Sequence, residues 1–352
     1  MASTECDNAN ASLPSWPSPT LYHVRWSLNM VARYFDGNVS IAIRLDTQVA
    51  SFRLHCGPSL NVLSARALQG KKTFPLTVSR CSDWLARKRS GSNECALFDV
   101  DDSIVCELED NQELNIGKAE LQLSFRGPIN SRGVLHGIFC SGGADAEPSN
   151  GADSSADAGP KKSRAGGGGG GDKRGASRKG GGVAKSSGPS ALVVATHFEP
   201  EFARTALPCV DVVASRAVFV VELHRVPAEC SAVSNMPVAK ESVENGLKTF
   251  VFAPSLPMAP YLLAFAVGNF AVTPVRSVSL ADSNSNSNSA SEVSLRVWQS
   301  RASAGSYPVE AVLDLTESAL TWCSDYFGAP YSLPKLDVVL IPRMCLGGVR
   351  KL

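Results

Sequence analysis

The chain has 352 residues, 44% of them hydrophobic, and its 34 Lys and Arg side chains nearly balance 33 Asp and Glu side chains. That length and apolar content are enough for one large or two ordinary globular domains, and they exclude a fibrous or wholly disordered protein. The net charge of +1 provides no overall field that would hold the protein on nucleic acid or an anionic membrane, so any such role must be local.

The sequence predicts neither a secretory signal nor a membrane span. Residues 1–18 have no basic start followed by an apolar stretch, and we expect them to be disordered. The most apolar segment, Met258–Phe270, is shorter than the roughly 20 residues that cross a bilayer. The ten cysteines stand singly, which favours free, largely buried thiols in a reducing compartment over zinc knuckles or redox pairs. We therefore predict a soluble cytoplasmic protein with no membrane partner.

Much of the chain up to residue 139 alternates polar and apolar residues in short segments separated by turn residues. A period of two with β-branched residues is typical of antiparallel sheets that bury one face. These segments are YHVRWSLNMVA, GNVSIAIRLD, VASFRLHC, ALFDVDDSIVCEL and KAELQLSFRG. Strands resume at Ala191 with ALVVATHFEP, RAVFVVELHRV, LKTFVFAP, YLLAFAVGNFAVTPV and VSLRVWQS. The sequence therefore predicts a mainly β chain.

Between these two sets of strands the composition changes to Gly, Ala, Ser, Lys and Arg over residues 141–190. Such a segment has too few apolar side chains to offset the entropy of ordering it, so we predict a disordered insertion. Within it, Lys161–Lys185 holds eight basic residues and one acidic residue and is the only candidate for contact with nucleic acid or an acidic partner. It has no aromatic side chain for base stacking, which favours a solvated loop. A second polar patch, Ser283–Ser289, predicts a loop.

The pattern changes to that of a helix over Ser306–Gly328. Ser306 is a candidate N-cap, Pro308 suits the first helical turn, and Gly328 suits the end. Apolar or small residues recur at helical spacing and predict one buried face. They are Val309, Val312, Leu313, Thr316, Ala319, Leu320, Cys323 and Phe327. The strand Leu336–Ile341 follows, so strand, helix and strand succeed the all-β region and predict the start of a second, α-containing domain.

The segment Thr196–Phe219, THFEPEFARTALPCVDVVASRAVF, resembles a signature of the zinc aminopeptidases of the aminopeptidase N and leukotriene hydrolase family. The family signature reads Gln-Phe-Glu-Pro-Thr-Asp-Ala-Arg-Arg, then Phe-Pro-Cys-Phe-Asp-Glu-Pro. Further segments look like family segments in the family's order: Phe35–Leu60, Gly133–Ser141, Ser234–Val238, Pro257–Phe270 and Trp322–Pro342. The matching residues of the signature are Phe198, Glu199, Pro200, Ala203, Arg204, Pro208, Cys209 and Asp211.

This resemblance implies a saddle-shaped, multi-sheet β domain over residues 19–274, followed over 275–352 by a truncated thermolysin-like α/β catalytic domain. It also implies that Glu199 helps to bind the free α-amino group of a peptide substrate, since a carboxylate holds an ammonium by charge-assisted hydrogen bonds. The alternative is that Glu199 is only a turn residue before Pro200. His197 stands where the family usually has Gln and would line the pocket for the first substrate side chain, although a lone His is commonly structural.

The family's zinc is held by H-E-x-x-H and a further Glu, with the Glu between the two His acting as general base. None of the five His of this chain is followed by Glu, so we expect no zinc site, no bound cofactor and no catalytic residue within it. The family's Gly-Ala-Met-Glu-Asn motif falls on residues 347–351. Gly347 and Gly348 fit this substrate-binding motif, but Arg350 replaces its Glu, and a cation would repel an ammonium.

These observations predict the N-terminal part of an enzyme that removes N-terminal residues from peptides, truncated after Gly348 and inactive alone. In that case peptide N-termini are its partners only when a catalytic domain is present. The alternative is a non-catalytic binding or scaffold module that uses the β saddle or the basic segment. We also expect the apolar face of Val309–Phe327 and the edges of the strand Leu336–Ile341 to lack partners.

Overall fold

The computed structural model describes residues 14–88, 102–131, 134–142, 192–281 and 290–341. Most of the predicted insertion, the loop Ser283–Ser289, and the glycines Gly347 and Gly348 lie outside these residues. Ser141, the first residue of the predicted insertion, instead ends a strand. Within the predicted disordered N-terminus, Trp16 stacks on His55 with ring centroids 4.0 Å apart, so the disorder does not extend to this residue.

The chain is mainly β, as predicted. Its first part contains β1 (Ser18–Asn29), β2 (Tyr34–Leu45), β3 (Ser51–His55), β4 (Asn61–Gln69), β5 (Lys72–Arg80), α1 (Cys81–Lys88), β6 (Ser103–Leu108), β7 (Gly117–Pro128) and β8 (Gly137–Ser141). Its second part contains β9 (Val193–His197), β10 (Val218–Pro227), β11 (Ser231–Ser234), β12 (Val238–Glu244), β13 (Leu247–Phe252), β14 (Phe265–Gly268), β15 (Phe270–Val272), β16 (Arg276–Ala281), β17 (Ala290–Ser300), α2 (Val309–Phe327) and β18 (Lys335–Leu340).

The largest sheet has ten strands in the order β12-β13-β10-β1-β2-β7-β4-β5-β6-β3. Its long central strands bury every second side chain, as the alternating pattern predicted; in β1 the buried ones include Tyr22, Val24 and Trp26. The sheet is not wholly antiparallel, because β1 and β10 run parallel with Leu21 opposite Val218. No tight turn joins these two strands, so the hairpin constraint that imposes antiparallel pairing is absent between them.

Two smaller sheets adjoin it. One has four strands in the order β11-β14-β9-β8, and in the other β17 pairs with β15 and β16 and, in parallel, with β18. The predicted strand Tyr261–Val275 divides between these sheets, since β14 pairs with β9 whereas β15 pairs with β17. A side chain at Gly268 would lie 3.1 Å from the Phe270 ring and 3.2 Å from Val193, so glycine permits the close packing where the chain changes sheet.

The helix α2 connects the parallel strands β17 and β18 and covers one face of their sheet. Leu313 and Leu320 are 3% and 7% exposed and pack with Val293 and Leu295 of β17. Part of the predicted face is therefore buried, and the prediction that it lacks partners was wrong for these two leucines. Phe327, predicted on the same face, is 72% exposed, because the last turn of the helix extends beyond the side chains that cover Leu313 and Leu320.

The sequence predicted the C-terminal end of α2 correctly but not its N-terminal end. Gly328 is the C-cap, with φ of 63° and its N–H directed to the carbonyls of Asp325 and Ser324, as predicted from glycine's access to the left-handed region. The proposed N-cap Ser306 was wrong: Pro308 is the N-cap, and it provides no side-chain hydrogen bond.

Seven cysteines lie in the described part of the chain and all are free thiols, six of them buried. This confirms their predicted role as small core residues, and Cys6, Cys95 and Cys345 lie outside the described residues. No helix among the described residues is long and apolar enough to span a bilayer.

Candidate functional site

The candidate substrate-binding residues lie where β9 leaves the core. Thr196 and Phe198 are buried, His197 is half-buried, and Glu199 and Pro200 are exposed. Phe198 is 0% exposed and anchors the strand end, so the chain reaches the surface at Glu199 within one residue of a core position. The side chain of Glu199 is thus presented by a fixed strand end.

The imidazole of His197 has a defined orientation. Its Nδ1 lies 2.8 Å from the carbonyl oxygen of Leu135, in the segment that enters β8. Since a carbonyl only accepts hydrogen bonds, Nδ1 carries a proton, and Nε2 remains as an acceptor in the neutral ring. His197 can therefore present an acceptor beside Glu199 while its other nitrogen is held by the backbone.

A buried ion pair closes the loop that follows Glu199. Both the backbone N–H and the guanidinium Nε of Arg204 donate to Oδ2 of Asp211, at 3.1 and 3.2 Å. The side chains are 4% and 2% exposed. The guanidinium also contacts Glu201 at 3.2 Å, and the backbone N–H of Phe202 donates to the carbonyl of Phe198 at 2.8 Å. The loop is therefore fixed by charge-assisted hydrogen bonds inside the core.

Burial and the contacts with Arg204 have opposite effects on the ionisation of Asp211. Burial raises the pKa of the Asp211 carboxyl above its ordinary value, although the hydrogen bonds and charge of Arg204 act in the lowering direction. The backbone N–H of Asp211 donates to Nδ1 of His55 at 3.1 Å, so His55 accepts at that nitrogen and is neutral in this arrangement. Asp211 thus joins the loop to β3 as well as to Arg204.

Two aromatic side chains of β1 attach the same loop to the large sheet. The indole Nε1 of Trp26 donates to the carbonyl of Ala206 at 3.0 Å, and the backbone N–H of Val210 donates to the hydroxyl of Tyr22 at 3.0 Å. Burial raises the pKa of the Tyr22 hydroxyl, which keeps it a neutral acceptor. The loop between Glu199 and Asp211 is consequently supported from β1, β3 and its own ion pair.

A second polar network connects β18 to the same region. Asp337 is 0% exposed and accepts from Arg296 Nε at 2.9 Å and from Trp298 Nε1 at 2.7 Å. Lys335 lies 2.5 Å from both Asp337 and the carbonyl oxygen of Ser234. Burial lowers the pKa of Lys335, while Asp337 acts in the opposite direction. These contacts fix β18 to the end of β11.

From Ser234 the network reaches the candidate site through β14. The hydroxyl of Ser234 donates to the carbonyl of Ala264 at 2.7 Å, and the backbone N–H of Phe265 donates to the hydroxyl of Thr196 at 2.9 Å. Thr196 immediately precedes His197. Strand β18, which leads towards Gly347 and Gly348, and the strand end that carries Glu199 are therefore held by one continuous set of buried hydrogen bonds.

The structure brings together only part of the predicted site. His197 and Glu199 lie at one strand end, whereas Gly347, Gly348 and Arg350 lie outside the described residues. Sequence reasoning identified Arg204 and Asp211 as matches to a motif but missed their ion pair. It also missed Asp337, although charged residues at alternate positions of an otherwise apolar strand, Lys335 and Asp337, were a signal of buried polar contacts.

The described residues do not fit a metal ion such as zinc. Within the described ranges, no group of three or more His, Cys, Asp or Glu side chains is arranged to hold one. Of the two carboxylates Glu199 and Asp211 in this loop, Asp211 already pairs with Arg204. No His side chain takes part in that ion pair. An exposed carboxylate such as that of Glu199 can form charge-assisted hydrogen bonds with a cationic group.

Comparison with known proteins places this geometry in context. The profile of the Peptidase M1 N-terminal domain matches residues 181–262, a range that includes His197, Glu199, Arg204 and Asp211. The chain is 26% identical to aminopeptidase M1-B of Oryza sativa subsp. japonica over 348 residues, which cover 99% of this chain and 31% of that protein. The match to a rice aminopeptidase thus extends over nearly the whole chain.

Two mammalian proteins match a shorter part at higher identity. Human glutamyl aminopeptidase is 34% identical over 158 residues, 45% of this chain and 15% of that protein. Mouse endoplasmic reticulum aminopeptidase 1 is 35% identical over 163 residues, 46% of this chain and 16% of that protein. This chain spans less than a third of the length of the relatives it matches, and the resemblance seen in the sequence is confirmed for an N-terminal portion.

Proposed function

We propose that this chain, which carries the N-terminal portion of an aminopeptidase N-like protein of the M1 type, recognises the free amino terminus of a peptide through Glu199. The observation that carries the proposal is the exposed carboxylate of Glu199 on a strand end and loop that buried contacts fix. A carboxylate on a backbone that is already fixed binds an ammonium without the cost of ordering the loop at the moment of binding. The relatives are aminopeptidases by name, which supports removal of N-terminal residues as the activity of the corresponding complete protein.

We propose further that the chain of 352 residues does not hydrolyse peptides alone. No His in it is followed by Glu, and Arg350 stands where a second amine-binding carboxylate would be expected. Peptide hydrolysis by a metal-activated water needs ligands that this sequence does not offer in the motif the family uses. Zinc would therefore belong to the remainder of a complete relative, and peptide N-termini would be bound between the two parts.

A chimera tests this function. Residues 14–341 of this chain would replace the matched N-terminal part of rice aminopeptidase M1-B, and hydrolysis of an aminoacyl-coumarin substrate would be measured beside the unfused chain. We expect activity from the chimera and none from the chain of 352 residues, both supplied with zinc. A chimera that folds by circular dichroism and elutes as a discrete species, yet shows no hydrolysis, would contradict the proposal.

A non-catalytic binding module is the second candidate function, and its support is the absence of the H-E-x-x-H pattern from the sequence given. This candidate requires that the short chain exist as such. An antibody against residues 192–281 applied to native extract distinguishes the two: a band near 37.2 kDa supports the module, and a much larger band alone supports the peptidase.

Deletion of residues 143–190 without loss of RNA retention at low salt would remove a role for the basic segment.

A cytoplasmic location is part of the proposal. Its support is that all seven described cysteines are free thiols, which is the usual state in a reducing compartment. Fractionation of native cells tests the location. We expect the protein in the cytosolic fraction, and its recovery from a secretory compartment would contradict the proposal.

A further inference from the structure

Strand β12, Val238–Glu244, lies at one edge of the ten-stranded sheet, and within the described ranges its outer side pairs with no other strand. All seven of its residues are exposed. Its hairpin partner β13, by contrast, buries Phe250 and Phe252. Strand β12 therefore projects beyond the core and leaves backbone N–H and C=O groups open to a further strand.

The turn of this hairpin determines which backbone groups of β12 face outwards. The two-residue turn at 245–246 has φ of 51° and 75°, the left-handed values of a type I′ hairpin. Glu244 lies opposite Leu247, and the residues that flank such a turn exchange both of their hydrogen bonds. This bonding alternates along the strand, whose register is regular over its last five residues. The N–H and C=O groups of Glu241 and Val243 consequently face the open side.

The charges of β12 are complementary to those of a second copy of the same strand. Side chains at alternate positions share a face, so Lys240, Ser242 and Glu244 lie on one face. Within the described part of the chain, neither Lys240 nor Glu244 has an ion-pair partner, whereas Glu241, on the other face, pairs with Lys248 at 3.2 Å. A two-fold axis at Ser242 would place each Lys240 opposite Glu244 of the other copy, which gives two pairs of opposite charge.

The same axis satisfies the backbone groups that face outwards. It places Glu241 opposite Val243 of the second copy, and each of these two pairs exchanges two hydrogen bonds. Lys240 and Glu244 then form non-hydrogen-bonded pairs, in which side chains approach most closely. An axis at residue 241 would instead place Glu241 opposite itself, and an axis at residue 243 would place neither charge opposite one of the other sign.

We infer that β12 is an interaction surface for a second copy of this chain, paired as an antiparallel strand with Lys240 opposite Glu244. The two large sheets then continue into each other across the interface. A single pair of strands makes a small interface, so we expect a weak dimer whose population rises with concentration. The other occupant of such an edge is an extended segment of a different protein, for which this self-complementary register has no role.

Charge exchange tests the register. Sedimentation equilibrium of the full chain over a concentration series measures the dissociation constant of the dimer. Lys240→Glu and Glu244→Lys each turn two attractive pairs into two repulsive ones and should weaken the dimer at least about tenfold. The double variant Lys240→Glu/Glu244→Lys restores opposite charges and should return the constant to within about threefold of the unmodified value. The control is Lys72→Glu, which makes the same change in net charge at an exposed position of the interior strand β5 and should have no such effect.

A disulfide cross-link provides a second readout that depends on position. Ser242 lies opposite itself across the axis, with Cα atoms about 4.5 Å apart, which is within the span of a disulfide. Oxidation of the Ser242→Cys variant with diamide should therefore give a covalent dimer, and mass mapping should find the two introduced thiols linked. The matched control is Ala239→Cys, also at an exposed position of β12, because its two copies would lie about 20 Å apart.

The exposed aromatic side chains Trp322, Tyr326 and Phe327 of α2 are the same in every variant, so association through them contributes equally to each. Circular dichroism shows whether each variant is folded. A chain that stays monomeric at every concentration would overturn the inference and leave the edge to a segment of a different protein. So would a folded double variant that dimerises as weakly as the single ones, or an Ala239→Cys variant that cross-links as readily as Ser242→Cys.

Discussion

Arg204 and Asp211, seven positions apart in the sequence, pair inside the core, and the backbone N–H and Nε of Arg204 donate to one carboxylate oxygen at 3.1 and 3.2 Å. The pair closes the loop that begins at Glu199. Because both side chains are almost fully buried, the loss of Asp211 would leave Arg204 paired with the more exposed carboxylates of Glu201 and Asp102. The loop's geometry and the stability of the whole domain therefore depend on the same contact.

Asp211→Asn should lower the free energy of unfolding by about 1–3 kcal/mol, the cost of losing hydrogen bonds to a buried charged group, because Glu201 and Asp102 still face Arg204 at 3.2 and 3.8 Å. The measurement is urea denaturation followed by tryptophan fluorescence. The control is Asp46→Asn, since Asp46 and Arg44 are 81% and 74% exposed and such a pair contributes no more than about 1 kcal/mol. Equal effects of the two substitutions would show that the buried pair does not stabilise the loop.

Glu222 should give the fold a defined acid sensitivity. Burial alone would raise the pKa of its carboxyl, but hydrogen bonds from His224, Arg25 and His23 outweigh it and lower the pKa from 4.5 to about 2. A lowered pKa in the folded state stabilises the fold above the unfolded-state value, and this contribution, at most about 3 kcal/mol, is lost as the pH falls from about 4.5 to about 2. Glu222→Gln removes the linkage.

The test compares melting temperature against pH for the unmodified chain and the Glu222→Gln variant. Near pH 6 the unmodified chain should be the more stable, and the difference should shrink as the pH approaches 2. Parallel curves over this window would mean that Glu222 is not held by its three donors in solution.

The buried thiols should be unreactive in the native state. Burial raises the pKa of Cys56 and Cys230 to about 11, so at pH 8 about one molecule in a thousand carries the reactive thiolate at either position. Iodoacetamide followed by peptide mass mapping should label Cys323, which is half-buried, well before Cys56. Labelling of native Cys56 at the rate of Cys323 would contradict the packing described, and unfolding in urea should remove the difference.

The end of α2 should promote self-association. Trp322, Tyr326 and Phe327 are 61%, 69% and 72% exposed, and the rings of Trp322 and Tyr326 stack with centroids 4.9 Å apart. Adjacent exposed aromatic rings favour association, so replacing all three by Gln should shift light scattering towards the monomer across a concentration series. The control Leu320→Gln changes a 7%-exposed side chain and should destabilise the fold instead. Scattering that is unchanged by the triple substitution would contradict this role.

The sequence predicted the strands whose side chains alternate clearly between core and surface. In β2 and β7 nearly every second residue is buried, and this periodicity is visible without a structure. In β4, by contrast, only Ala67 is buried, and every residue of β12 is exposed. Pairing with neighbouring strands, and not an apolar face, makes these segments strands, so single-sequence periodicity contains no signal for them.

Within the candidate site, the sequence predicted only the residues that belong to a local motif. The stretch from Phe198 to Asp211 carries the family resemblance in its own residues, so Glu199 was identified directly. Asp337, however, takes its partners Trp298 and Arg296 from 39 and 41 residues away, and Lys335 reaches Ser234 across 101 residues. Contacts of this range depend on how the sheets pack, and sequence spacing does not encode them.

Glu199→Gln in the chimera with rice aminopeptidase M1-B tests the central claim most directly. Hydrogen bonds to a charged group contribute about 1.5–3 kcal/mol, so kcat/KM for a substrate with a free amino terminus should fall about 10- to 150-fold. Glu244→Gln, a change to an exposed carboxylate of β12 outside the loop, is the matched control and, at enzyme concentrations that keep the chimera monomeric, should leave the value within about threefold. An unchanged kcat/KM in a folded Glu199→Gln chimera would contradict recognition of the peptide amino terminus by Glu199.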